Sequence, residues 1–113
     1  MLEHVARFAD ALREAGTVVE ELCVIGGGSR SRHWGTILAA ALGVRLLYLE
    51  GGEVGPALGA ARLAQMAITG ASAGDVCTRP PVSHVIEPGI ALADRLAPKF
   101  DRFRSASRAV RSL

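Results

Sequence analysis

Aromatic side chains are scarce in this sequence, with one Trp, one Tyr and three Phe among 113 residues. Any core must therefore be built from Ala, Leu, Val and Ile, with few bulky anchors. Cysteine is almost absent: Cys23 and Cys77 lie far apart and neither belongs to a CxxC pair. That excludes a disulfide framework and a cysteine-built metal site. An excess of one charge is missing too, since 13 Lys and Arg against 11 Asp and Glu leave a net charge of +2. So mild a balance does not argue for a nucleic-acid partner. No apolar run approaches the roughly 20 residues of a membrane-spanning helix. Met1-Leu2-Glu3-His4 also lacks the basic-then-apolar layout of a secretory leader. The expectation is a reducing, cytoplasmic setting with neither a membrane nor a nucleic acid as partner.

What is present is apolar and small. Half of the residues are hydrophobic and 13 are glycine, which excludes a disordered tail and suits one small α/β domain over residues 1–113. Length limits the function as well. A self-contained two-substrate enzyme that closes around a cleft usually needs more than one domain of roughly 100–150 residues. Charge is uneven along the chain: from Asp94 onward there are six basic and two acidic residues, while the first 93 residues are slightly acidic. The basic end reads as the solvated face of a terminal amphipathic helix.

Leu2, Val5, Ala9 and Leu12 recur at helical spacing, and Gly16 follows as a C-terminal stop. Leu22 to Ile25 is an unbroken apolar run that predicts a strand buried on both faces, with Cys23 as a small core residue. Gly26-Gly27-Gly28 comes next. Ser29 or Ser31 then caps a helix whose stripe is Trp34, Ile37, Leu38, Ala41 and Leu42, ending at Gly43. Val44 to Leu49 predicts a second buried strand. After Glu50-Gly51-Gly52-Glu53, Pro56 opens a third helix through Ile68. That helix is apolar almost all round, which predicts burial. Its Gly59, Ala60 and Ala61 predict close packing on the glycine loop, which Gly59→Leu would disturb by overpacking. Residues 70–88 are Gly-, Ser- and Pro-rich and predict a loop, with Val82 to Ile86 as an extended edge segment. A terminal helix over 98–112 opens near Pro98. The order α-β-α-β-α-loop-α contains one parallel βαβ pair. Two parallel strands do not bury themselves, so exposed sheet edges are expected, open to a second copy of the chain or to another partner.

A strand, a glycine-rich turn and a helix in succession make a good place for an anion or a nucleotide, because glycine lets the backbone approach and the helix start offers unpaired N–H groups. The plain alternative is a tight strand-to-helix turn. A dinucleotide-binding reading requires G-x-G-x-x-G and an acidic residue about 20 positions on. Gly26, Gly28 and Glu50 suit it; Ser31 stands at the third glycine, and no third parallel strand follows the helix at a normal spacing. Trp34 reads as a core anchor ahead of a ligand-stacking group. Glu53 reads as favouring the start of the third helix by charge. Asp10 and Asp75 are the loose candidates for a catalytic base, and neither has a supporting context, so no catalytic and no metal-binding residue is assigned.

Two segments carry a resemblance. They are Ile25-Gly26-Gly27-Gly28-Ser29-Arg30-Ser31-Arg32-His33-Trp34 and Gly51-Gly52-Glu53-Val54-Gly55-Pro56-Ala57-Leu58-Gly59-Ala60-Ala61-Arg62-Leu63-Ala64, with Ala39 to Val44 between them. At this spacing the chain resembles the C-terminal domain of the FGGY carbohydrate kinases, and within them the xylulose-kinase branch. The resemblance implies part of a ribonuclease H-like, actin-like ATPase domain, the nucleotide side of an ATP- and Mg²⁺-dependent sugar kinase. It implies that Gly27, Gly28 and the backbone of Ser29 pass along the adenosine. Arg32 takes the place, four residues after the last glycine, where the family often has an Asn facing the adenine; its guanidinium either stacks on the base or is solvated. The sugar-binding domain and the Asp base belong to a part of such kinases that precedes the matched region. The implied reading is therefore a portion that is catalytically silent alone, meeting its sugar only through an absent N-terminal domain. Other FGGY kinases, for glycerol, ribulose or another pentulose, stay open alternatives, as does a non-catalytic α/β interaction module.

Overall fold

The computed structural model describes residues 2–113. Helix α1 spans Leu2–Glu14. It ends as the sequence predicts: Gly16 is left-handed at φ +80°, its N–H donates to Arg13 O, and Thr17 N–H donates to Leu12 O, both at 2.9 Å. This pair of reversed bonds satisfies carbonyls that the helix end leaves open. Strand β1 is Glu21–Val24, and helix α2 is Arg32–Leu42. Ser31 caps α2 by accepting the Trp34 N–H at 3.1 Å, and Gly43, at φ +65°, closes it. Strand β2 is Arg45–Leu49. Helix α3 is Pro56–Thr69 with Pro56 in its first turn, where the missing N–H costs nothing.

Beyond α3 the structure departs from the expected loop at 70–88. Ser72 caps a one-turn helix α4, Ala73–Val76, accepting the Asp75 N–H at 3.2 Å while its hydroxyl donates to the Asp75 carboxylate at 2.6 Å. Strand β3, Val82–Ile86, then pairs antiparallel with β2. Val82 to Ile86, expected as an extended edge segment, is the outer strand beside β2. The last helix, α5, is Ile90–Arg111 with Pro98 inside it, so it starts well before the expected 98. Good helix formers fill Ala91 to Leu96, and Pro98 removes one backbone bond without stopping them.

The sheet order is β1-β2-β3. β1 and β2 are parallel, as predicted, with Leu22 beside Leu46 and Val24 beside Tyr48; Leu46 in turn faces Ile86 and Tyr48 faces His84. That set of side chains points to one face. It meets Leu38, Ala39 and Leu42 of α2 in the core, with Val5 and Ala9 of α1 at the margin. Leu46 is 0% exposed. Burying such a side chain is worth about 1.5–3 kcal/mol. α5 lies along α2, and Arg104 ties it to α1 by a two-pronged contact with the Asp10 carboxylate, 2.9 Å on each prong.

The other face of the sheet is covered over its middle and open at its flanks: Leu47 of β2 is 6% exposed, while Ile25 and Val85 are 57% and 43% exposed. Cys23, Leu47 and Val85 form a row across it. Cys23 is exposed, contrary to the expected core position, with the Arg79 guanidinium 3.8 Å from its sulfur. α3 departs from expectation in the same way. It has no buried residue, and Leu63 and Ile68 are 67% and 85% exposed. Nothing lies within 4 Å of a Cβ placed on Gly59, so the expected overpacking at that position does not arise in this chain.

Candidate nucleotide-binding site

The two glycine segments meet at the carboxyl ends of the parallel strands. Gly26 N–H donates to Gly52 O at 2.9 Å, and a Cβ on Gly55 would lie 3.8 Å from the Gly26 backbone. Gly26 (φ +84°, ψ −174°) and Gly55 (φ +50°, ψ −125°) hold backbone conformations that only glycine adopts without strain. One loop leaves β1 and the other leaves β2, and a backbone hydrogen bond joins two turns whose positive φ angles favour glycine. Crevices beyond strand carboxyl ends are where open α/β sheets take ligands.

Gly27 to Arg30 form a single 3₁₀ turn leading to α2. Gly27 is exposed, and a Cβ on it would meet nothing within 4 Å. A Cβ on Gly28 would sit 3.9 Å from the Trp34 indole. Trp34 thus supports the turn from below and packs on the core, the anchor role expected of it. Among the described residues the N–H groups of Gly27 and Gly28 make no hydrogen bond. Those of Ser29 are occupied: its hydroxyl donates to Gly26 O at 2.7 Å and its N–H to the same oxygen at 3.0 Å. Ser29 holds the turn shut and leaves the outward surface to the two glycines. Arg32 is exposed at the first position of α2, on the same turn-to-helix corner.

On the second loop, Gly51, Gly52, Gly55, Leu58 and Gly59 line a hollow of about 220 Å³ with Ile25 and Leu49. Sequence reasoning used this motif as a family marker and missed that it forms one ledge with the first. The available signal was that both glycine clusters follow strands of a parallel pair. Arg62 fastens α3 here, donating to Thr78 O at 2.6 Å. Glu53 is exposed and makes no cap for α3, whose N-terminal cap is Gly55 without a side-chain bond.

The loose candidates for a base are structural. Asp10 is held by Arg104 and Arg13, and Asp75 by Ser72. Tyr48 and His84, which sequence did not pair, stack at 4.3 Å and 12°. Tyr48 is 3% exposed and its hydroxyl has no partner among the described residues. Burial raises its pKa above the ordinary 10.0. A Cβ on Gly35 would collide with that hydroxyl and approach Ile86 Cδ1 at 2.8 Å. Among the described residues no group of three His, Cys, Asp or Glu side chains could hold a metal ion. The Mg²⁺ expected of a kinase thus finds no ready ligand set among these residues. The glycine ledge leaves the N–H groups of Gly27 and Gly28 without a partner among the described residues and so open to an acceptor. No helix among the described residues is long and apolar enough to cross a membrane.

A parallel strand pair ending in two interlocked glycine loops, with an antiparallel third strand in place of a third parallel one, is not a dinucleotide-binding half. Residues 3–68 match the C-terminal domain of the FGGY family of carbohydrate kinases. The chain belongs to that family, and its fold is a portion of the actin-like ATPase fold. Its relatives include xylulose kinases. It is 50% identical over 58 residues to that of Escherichia coli (strain K12), a match covering 51% of this chain and 12% of the relative. Against the xylulose kinase of Klebsiella pneumoniae the identity is 48% over 59 residues, covering 52% and 12%. In three dimensions it is similar to the xylulose kinase of Brucella ovis, with a TM-score of 0.77 and 36% identity over 98% of this chain and 23% of that one. The Rhodospirillum rubrum enzyme gives 0.59 and 25% over 96% and 24%. The chain therefore spans about a quarter or less of the length of these relatives.

Proposed function

We propose that this chain is the nucleotide-side portion of an ATP-dependent xylulose kinase, supplying a shelf for ATP and ADP but not the chemistry of transfer. The observation that carries this reading is the pair of glycine loops joined through Gly26 and Gly52 at the strand ends, inside the family match. Gly27 and Gly28 present open backbone where the adenosine would lie, Ser29 closes the turn beneath it, and Arg32 offers a flat cation to the adenine face. When bound, ATP supplies the phosphoryl group. This chain's residues orient its adenosine and exclude water from one side of it.

Phosphoryl transfer also needs a base for the sugar hydroxyl and donors for the phosphate oxygens, and the described acidic residues nearest such a role are tied to other partners. The chain alone is therefore expected to be silent towards D-xylulose in a coupled ADP assay; turnover would overturn that. ATP titration by calorimetry tests the shelf. Gly27→Val fits the fold, since nothing lies near its Cβ, yet it bars close approach of a ligand. It should weaken ATP at least about tenfold, roughly 1.4 kcal/mol, with an unchanged melting temperature. Undiminished binding would refute the shelf.

A further inference from the structure

The basic end of the chain, expected as a solvated helix face, forms one wall of a groove. Arg104, Arg108 and Arg111 recur at i, i+4 and i+7 and so share one face of α5. At the rise of an α-helix they span about 10 Å. α1 brings Arg7 and Arg13 to the opposite wall, and the groove between the two helices encloses about 570 Å³. Its lining holds five arginines against two carboxylates, Asp10 and Glu14. Asp10 is already taken: Arg104 grips it at 2.9 Å on each prong, and Arg13 touches it at 3.4 Å. Arg13 also donates to Leu42 O at 2.6 Å. Arg7, Arg108 and Arg111 therefore add their charge to a lining with one further carboxylate, Glu14, to answer it.

We propose that this groove binds a small free anion carrying two or more phosphate groups, at a site that shares no residue with the glycine loops. Arg108 and Arg111 lie in the last turn of α5, where the helix dipole favours cations. That accounts for two arginines and leaves three more gathered on the same groove unexplained. Like charges one turn apart on a helix repel, and an anion between the two walls removes the repulsion. A cleft lined by one sign of charge also concentrates counter-ions. Guanidinium forks meet phosphate oxygens two at a time, and an excess of this size calls for more than one phosphate group. The volume lies within the range of small-molecule sites. Phe103 and Ser107 line the groove too, giving apolar surface for a carbon skeleton and a hydroxyl for one more hydrogen bond. Walls on two sides favour a compact ligand over a lipid surface, which needs a basic face with apolar residues turned outward beside it.

Tripolyphosphate is the probe, because it carries the charge and no adenosine. Calorimetry in magnesium-free buffer should show saturable one-to-one binding, and the melting temperature should rise with it. A rise that sodium chloride at equal ionic strength reproduces, without saturation, would be screening alone and would overturn the site. Arg108→Gln combined with Arg111→Gln, both exposed, should weaken binding at least tenfold with an unchanged circular dichroism spectrum. Arg7→Gln on the facing wall should weaken it as well. Arg102→Gln is the control, exposed on α5 but outside the lining, and should leave binding as it was. Full affinity in the double variant, or an equal loss in Arg102→Gln, contradicts the groove. Tighter binding of hexaglutamate or of phosphatidylserine vesicles than of tripolyphosphate, lost in the same double variant, would assign the groove to an acidic protein segment or a membrane and refute the proposed ligand. Gly27→Val should bind tripolyphosphate unchanged; a fall there would put the probe on the glycine ledge and overturn a separate site.

Discussion

The two sides of the sheet are made of similar residues and behave differently. On the α2 side, Leu22, Val24, Leu46 and Tyr48 meet Leu38, Ala39 and Leu42, with α1 and α5 outside them. On the other side only Leu47 is buried, Cys23 and Val85 beside it are exposed, and α3, as apolar as α2, stands without a buried residue. The lesson is that an apolar pattern sets what a segment can bury, and burial follows only where a facing surface meets it. Side-by-side substitutions make the contrast measurable. Leu46→Ala should cost about 2–5 kcal/mol in denaturant unfolding, since the residue is fully enclosed and its cavity only partly collapses. Leu63→Ala should change stability by no more than about 0.5 kcal/mol, the range for exposed sites. If the two costs came out alike, α3 would be packed in solution and the distinction would fail.

Glycines sharpen the same contrast with opposite signs. Gly35 faces the Tyr48 hydroxyl and Ile86, so Gly35→Ala should cost roughly 1–3 kcal/mol by overpacking. Gly59 sits mid-helix with open space around it, so Gly59→Ala should add up to about 1 kcal/mol by helix propensity alone. Thermal melts of the two variants should move in opposite directions; a loss at Gly59 would restore the packing role that sequence reasoning gave it.

That pair also shows how far the sequence could be read. Element order, the parallel pair, the Ser31 cap, the Gly16 and Gly43 stops and the Pro56 start were legible, because each is fixed by local sterics or hydrogen bonding near the residue concerned. The glycine-rich turn between β1 and α2 was legible for the same reason. Three things were not. α3, Cys23 and Gly59 were assigned to an interior from their apolar or small side chains, but burial also needs a facing surface, and the structure leaves all three without one. The start of α5 was misplaced because Pro98 was read as a beginning, although one proline inside a long helix removes only one bond. The joining of Gly26 to Gly52 and the stacking of Tyr48 on His84 depend on strand register across distant segments, which single-sequence periodicity does not encode.

The packed side has a flaw of its own, and repairing it should widen the contrast. The Tyr48 hydroxyl is buried without a partner, so it gave up water without a replacement. Tyr48→Phe should stabilise the chain by about 1 kcal/mol, at the low end of the cost of an unsatisfied buried group. The pH dependence follows from the raised pKa. Below pH 10 both folded and unfolded chains hold the phenolic proton, so it adds no slope. As pH rises past 10.0, the unfolded chain releases the proton while the folded one keeps it, and stability falls until the folded pKa is passed. Urea midpoints should therefore drop above pH 10 more steeply in the parent than in Tyr48→Phe. Parallel curves would mean that the hydroxyl reaches solvent.

The smallest effect concerns the clamp that closes the packed side. Arg104 grips Asp10 with two bonds, and the side chains are 38% and 27% exposed. Solvent screening at such exposure keeps the coupling near the top of the range for surface pairs, about 0.2–1 kcal/mol, because the geometry is two-pronged. A double-mutant cycle with Arg104→Ala and Asp10→Ala should return that value at low salt and less of it at 1 M NaCl, where the screening length shrinks to about 3 Å. Asp10 also touches Arg13 at 3.4 Å and Arg104 also touches Asp101 at 3.5 Å, so the two single variants should lose similar amounts. The clamp joins α1 to α5 across α2 and touches neither glycine loop, so ATP affinity should stay unchanged in all three variants. A fall in affinity there would mean that the packed side and the nucleotide ledge are mechanically linked through α2, whose first turn carries Arg32 and whose last turn carries Leu42, the carbonyl of which accepts from Arg13 at 2.6 Å.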